Sequence, residues 1–218
     1  MTAEKILDVA RSQLGVKENP PNSNKCKFNT AYYGREVSGG AYPWCCVFVW
    51  WVFREAGAGP LFYGGGKTAS CSALLNFHKA QVIRDNYLPG DIIFFNFSGK
   101  KNTEHVGICE GWDGRYITTI DGNTAPSNEA NGGAVMRRKR EKKYIVGAYR
   151  PAYEEETMTQ AEFDRMMEDY LARRDKKPAS AWAQKFVEQA RAAGITDGSR
   201  SQGFATREEV VTMLLNRT

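Results

Sequence analysis

Cys45, His105 and the neighbouring pair Asp121 and Asn123 are the residues whose types and order could do chemistry in this 218-residue sequence. Cysteine catalysis needs a thiolate, a base to take its proton, and a group that orients the base. A thiol ionises near pH 8.5 in water, and a helix N-terminus or a nearby imidazolium lowers that value. Cys45 opens the run Cys45-Cys46-Val47-Phe48-Val49-Trp50-Trp51-Val52-Phe53, just after Pro43. Pro43 fixes the entry to a predicted buried helix and Gly57 closes it. Cys46 lies about 100° further around such a helix, so the two thiols cannot face one site, and Cys46 is expected in the core. His105 precedes the apolar residues Val106-Gly107-Ile108, as a strand-end histidine would. Asp121 and Asn123 flank Gly122 after the strand-like Ile117–Ile120, and either could accept the imidazole N–H. Read blandly, Asp-Gly-Asn is plain turn chemistry. The second histidine, His78, follows a short helical pattern and is expected at the surface.

The surrounding elements must bring these residues together. Residues 3–14 read as an amphipathic helix, 18–43 as a loop rich in Asn, Pro, Gly and Tyr, and 68–79 as a further short helix. From Leu88 the period changes to strands: an apolar strand after Pro89-Gly90, then strand, Asp-Gly turn and strand across 105–124, then two strands around a basic segment. Helices first and an antiparallel sheet after them predict an α+β fold. The composition shifts at Glu154-Glu155-Glu156, and beyond it helices are predicted at 157–173, 180–193 and 206–216. The expected organisation is therefore a domain over 1–152 and a helical domain over 153–218. Thr206-Arg207-Glu208-Glu209 has the spacing of a capping box.

Composition narrows the class. With 42% hydrophobic and 12% aromatic residues, the chain can build a core, which excludes wholesale disorder. No apolar run approaches the roughly 18 residues of a membrane span. The first residues lack the pattern of a signal peptide, so synthesis in the cytoplasm is expected. Five cysteines cannot all pair, and none stands in a CxxC spacing. Net charge is +5, with +7 over residues 1–152 and −2 over 153–218, which suits an anionic partner for the front part. The run Arg137-Arg138-Lys139-Arg140-Glu141-Lys142-Lys143 could attract a polyanion but reads more simply as a solvated hairpin. No nucleic-acid-binding motif or phosphate-binding glycine loop accompanies it, so no nucleic-acid partner is expected.

Taken as a set, Pro43-Trp44-Cys45-Cys46, Gly90-Asp91 before a strand, His105-Val106-Gly107 and Asp121-Gly122-Asn123-Thr124 resemble the CHAP family, cysteine- and histidine-dependent amidohydrolases and peptidases. The resemblance covers about residues 1–152 and implies a papain-like fold. It implies Cys45 as nucleophile, His105 as general base and Asp121 or Asn123 as the orienting group. Asp121 stands where the family frequently has Glu, and Cys46 where a smaller residue is usual. The implied reaction is amide hydrolysis in peptidoglycan through a thioester, at the muramoyl-alanine bond or within the peptides. Tyr42, Trp44 and Trp112 are candidates to line a groove for sugar or peptide. Some phage members hold calcium ahead of the nucleophile; residues 19–44 offer Glu36 but no Asp, so neither metal nor cofactor is expected. The tail resembles a single S-layer-homology-like unit through Trp182-Ala183, Gly194–Gly198 and Thr206–Glu209, which implies Trp182 and Arg207 as contacts to a secondary cell-wall polymer. The leading expectation is an endolysin-type peptidoglycan hydrolase that reaches the wall after release through a holin. The alternatives are a non-catalytic wall-binding module on the same fold and a cytosolic thiol peptidase.

Overall fold

The computed structural model describes residues 1–99, 102–154, 158–205, 208 and 210–212. The chain divides into two compact units, residues 1–155 and 156–218. The first begins with five helices: α1 (Ala3–Arg11), α2 (Lys27–Tyr33), α3 (Cys45–Glu55), α4 (Gly59–Tyr63) and α5 (Cys71–Phe77). Six strands follow: β1 (Val82–Ile83), β2 (Ile92–Phe95), β3 (His105–Trp112), β4 (Tyr116–Thr124), β5 (Ala134–Glu141) and β6 (Ile145–Tyr149). They form one antiparallel sheet in the order β1-β6-β2-β3-β4-β5. The fold is α+β, with helices gathered ahead of an antiparallel sheet.

The sequence explains the layering. Helix α3 is apolar almost all round, and seven of its eleven residues are buried, as expected of a central helix. It packs on β3 and β4. The alternation of β2 then sorts its side chains: Ile92 and Phe94 join the helix-side core with Val106, Ile108 and Ile120, while Ile93 and Phe95 join a smaller core on the opposite face with Cys109 and Ile117. Gly122 lets α3 come this close, because a Cβ there would lie 2.4 Å from the Phe48 Cβ.

Three expectations need correction. The 18–43 segment contains α2, anchored by Phe28, which is fully buried and stacks on Trp44. Asp121-Gly122-Asn123 is not a turn but the end of β4, which runs on to Thr124 past a register shift, with Asn123 at φ 58°. The basic residues 137–141 do not form a solvated hairpin either: they belong to β5, where the two-residue period turns Arg140 inward and leaves Arg137 and Lys139 exposed.

The second unit holds α6 (Gln160–Asp175) and α7 (Gln184–Ala192). Thr159 and Glu162 cap α6 reciprocally. None of its described residues is buried, and Phe163, Met166, Tyr170 and Phe186 are exposed. The third tail helix expected over 206–216 and its capping box fall largely outside the described residues, of which 208 and 210–212 are helical. No helix among the described residues is long and apolar enough to cross a membrane.

Candidate active site

Cys45 is the first residue of α3. Its position is fixed from the residue before it. Trp44 is fully buried, stacks on Phe28, and donates its Nε1–H to Glu18 Oε1 at 2.8 Å. The first turn of α3 leaves backbone N–H groups without helical acceptors beside the thiol, at the positive end of the helix dipole.

His105 starts β3, paired with Phe95 of β2. Its Nε2 lies 2.9 Å from Asp121 Oδ2, and both side chains are completely buried. The ring's other nitrogen, Nδ1, is buried with no hydrogen-bond partner, and Cys45 is the thiol whose charge couples to the ring. Imidazole and carboxylate are hydrogen-bonded, and the Cys45 thiol continues the chain by electrostatic coupling to the ring. Gly107 is the space that makes it fit: a Cβ at Gly107 would sit 2.0 Å from Asp121 Oδ1. Of the two candidates left open by the sequence, Asp121 is the one in contact with His105. Asn123 instead donates to Asn131 Oδ1 at 2.8 Å and accepts from the Gly133 N–H at 3.2 Å, tying down the loop between β4 and β5.

A fourth member of the chain is Arg140. Its Nη1 lies 2.7 Å from Asp121 Oδ2, and its side chain is only 3% exposed. It also donates to Thr119 Oγ1 at 3.2 Å and to Glu129 Oε2 at 2.8 Å, and its guanidinium lies over Phe95 at 4.8 Å and Phe97 at 5.3 Å. Sequence reasoning missed Arg140 because it treated the basic run as one solvated block. The signal was the two-residue period of a strand, which separates Arg138 and Arg140 from Arg137 and Lys139.

These contacts set the charges. Burial alone would push the Asp121 carboxyl up, but the Arg140 charge and then the His105 hydrogen bond hold it below its ordinary range. Burial would lower His105, yet the hydrogen bond to Asp121 and the contact with Cys45 outweigh it and raise the imidazole to about 9. The Cys45 thiol is pushed up by its contact with Cys71 and by burial, against the pull of His105. The Cys71 sulfur lies 3.5 Å from that of Cys45. The Cys45–His105 pair therefore rests protonated and becomes reactive when one proton leaves it.

The remaining expected site residues are placed differently. Trp44 is a core residue, because its ring fills the space against Phe28 and its N–H is taken by Glu18, so it does not line a groove. Trp112 packs on Tyr87 at the other end of β3. Seven residues of strand put it about 23 Å from His105, too far to share a groove with it. Tyr42 is half-buried beside Tyr33, two residues ahead of Trp44. Cys46 is fully buried with its sulfur 3.4 Å from the Thr68 carbonyl. His78, expected at the surface, is buried: a ring nitrogen lies 2.7 Å from the Phe62 carbonyl and the ring stacks on Tyr149. In the second unit, Trp182 is 78% exposed, while Arg207 lies outside the described residues. Among the described residues, no three His, Cys, Asp or Glu side chains are grouped so as to hold a metal ion.

A thiol at a helix start, served by an imidazole and carboxylate from adjacent antiparallel strands, is the layout of a papain-like site. Residues 37–123 match the model of the CHAP domain, a span that includes Cys45, His105, Asp121 and Asn123. Among solved structures, the chain is similar to Ly7917, with 16% identity and a TM-score of 0.44 over 69% of this chain and 62% of that one. The structure of Ly7917 with the hydrolysing product of MDP gives 17% identity and a TM-score of 0.42, over 69% and 63%. A protein similar to lipoprotein of the NLP/P60 family from Staphylococcus aureus subsp. aureus Mu50 gives 16% and 0.35, over 70% and 42%. The chain spans less than two thirds of the length of each of these structures. No curated protein matches it at a significant level.

Proposed function

We propose that this protein is a peptidoglycan hydrolase that cleaves an amide bond with Cys45 as nucleophile and His105 as base. The observation that carries the reading is the buried set Cys45, His105, Asp121 and Arg140, of which the first three lie inside the segment that matches the CHAP domain. His105 Nδ1 takes the Cys45 proton, and the sulfur attacks the carbonyl carbon. The carbonyl electrons move to oxygen, where the free N–H groups at the start of α3 can hold them. The tetrahedral adduct collapses, the C–N bond breaks, and the leaving amine takes the proton from His105. Water, deprotonated by His105, then cleaves the thioester and frees the thiol. Asp121 holds the ring with Nδ1 toward sulfur, and Arg140 keeps Asp121 ionised. Tyr42 is the one expected groove residue whose position is compatible with substrate contact.

We extend the proposal to an endolysin role, made in the cytoplasm and released through a holin, with the second unit contacting a secondary wall polymer through Trp182 and Arg207. The exposure of Trp182 supports that part. The test is digestion of purified Gram-positive sacculi, with soluble fragments read by mass spectrometry. Free stem peptides with intact glycan identify a muramoyl-alanine amidase, and new peptide amino termini on glycan-linked fragments identify an endopeptidase. Absence of release from several wall chemotypes would overturn the proposal.

A further inference from the structure

Cys71 is a buried thiol that the hydrolytic scheme does not use, yet it touches the residue on which the scheme depends. It is the first residue of α5 as Cys45 is of α3, so two helix starts meet sulfur to sulfur at 3.5 Å. Both are largely buried, Cys45 5% and Cys71 8% exposed. Of the other three cysteines, Cys46 also interacts with Cys71. Cys46 points to the Thr68 carbonyl, Cys109 lies in the core on the far face of the sheet, and Cys26 precedes α2. Closing the gap to a disulfide of about 2.05 Å requires an approach of about 1.5 Å. Gly64 and Gly65 both have positive φ, and the start of α5 is held by hydrogen bonds from the Ala73 N–H to Ser70 Oγ and from the Ser70 N–H to Thr68 Oγ1.

We propose that Cys45 and Cys71 form an oxidisable dithiol, a modification site at which a peroxide-class oxidant joins the nucleophile to its neighbour. The step balances in two stages. Cys45 attacks the peroxide, the O–O bond breaks, and a sulfenic acid and one water (or alcohol) form. The Cys71 sulfur then attacks the Cys45 sulfur, the S–O bond breaks, and the hydroxyl leaves as water with the Cys71 proton. Two thiols lose two electrons and two protons, and the peroxide is reduced. The disulfide removes the nucleophile and protects it from irreversible oxidation, and an external dithiol restores it by exchange. The effect on hydrolysis rests on the function proposed above; the chemistry of the sulfur pair does not.

The test uses the full reduced chain, hydrogen peroxide, and peptide mapping beside the sacculus assay. The expected result is a Cys45–Cys71 cross-linked peptide, a fall in hydrolysis of more than about tenfold, and recovery with dithiothreitol. Cys71→Ala and, as a second variant, Cys71→Ser form no cross-link, and continued peroxide carries their Cys45 to sulfinic acid, which dithiothreitol does not rescue. A Cys46→Ala variant still forms the Cys45–Cys71 bond. A map dominated by Cys46–Cys71 or any other pair would overturn the proposal, as would Cys71 variants that recover like the unmodified protein. If the reduced protein hydrolyses nothing, the functional reading fails while the map still decides the dithiol.

Discussion

Replacing Arg140 by Gln should destabilise the first unit in a manner that depends on pH. Arg140 and Asp121 face each other at 2.7 Å with side chains 3% and 0% exposed, so water cannot replace either partner. Removing one member of such a pair leaves a buried charge and costs about 3–5 kcal/mol. In a unit of this size each kcal/mol moves the melting point by about 2–4 °C, so the expected drop near neutral pH is about 10 °C. The sign follows from Asp121. Its carboxyl is held below the ordinary range, so its contribution to stability is complete above the free value of about 3.9 and is lost as pH falls through the lower folded value. In Arg140→Gln the carboxyl loses its strongest opposing charge and burial pushes its affinity for protons up. The gap between variant and parent should therefore be widest near pH 7 and narrow toward pH 4, where the variant can protonate Asp121. Thermal melts across that range measure it, and Arg140→Lys, which keeps the charge, should recover part of the loss. An unchanged melting point would show that the Arg140–Asp121 pair does not hold the unit together. A drop equal at all pH values would assign Arg140 only to packing over Phe95 and Phe97.

Three other perturbations follow from the same geometry. Hydrolysis should rise with pH up to about 9 as the Cys45–His105 pair loses one proton, and Asp121→Asn should move that limb to lower pH while cutting kcat by about a hundredfold or more; a pH profile of kcat/KM checks both. Because the folded His105 value lies above the free one, its stabilisation is complete below about pH 6.5 and is lost as pH rises through about 9, so denaturation melts should show a decline there in the parent that Asp121→Asn lacks. Gly107→Ala places a methyl 2.0 Å from Asp121 Oδ1, and a loss of at least about 2 kcal/mol with collapse of activity is expected by chemical denaturation and sacculus assay.

Much of this site was legible in the chain, and the rest was hidden for definable reasons. Pro43 ahead of an apolar run marks a helix start, so Cys45 could be placed by sequence. His105 stands before an apolar strand, and β3 begins there. Which of Asp121 and Asn123 meets the imidazole could not be read, because it depends on β4 continuing through Gly122 to Thr124. Trp44 misled because an aromatic beside a nucleophile suits a groove as well as a core, and only the Phe28 and Glu18 contacts decide between them. His78 misled for a similar reason, since its partners, the Phe62 carbonyl and the Tyr149 ring, are remote in sequence. For Arg140 the strand period signals only an inward side chain, and Cys71 carries no local signal of contact with the site. One is brought in by strand register, the other by the meeting of two helix starts.

A nucleophilic Cys45 becomes acylated by a peptidoglycan fragment, and that thioester can be trapped. The protein is mixed with soluble muropeptides, quenched in acid within the first turnover, and mapped by mass spectrometry. The expected result is an acyl adduct on the Cys45 peptide, none on Cys46 or Cys71, and no adduct or turnover in Cys45→Ala. Turnover that persists in Cys45→Ala, or an adduct on another residue, would contradict it.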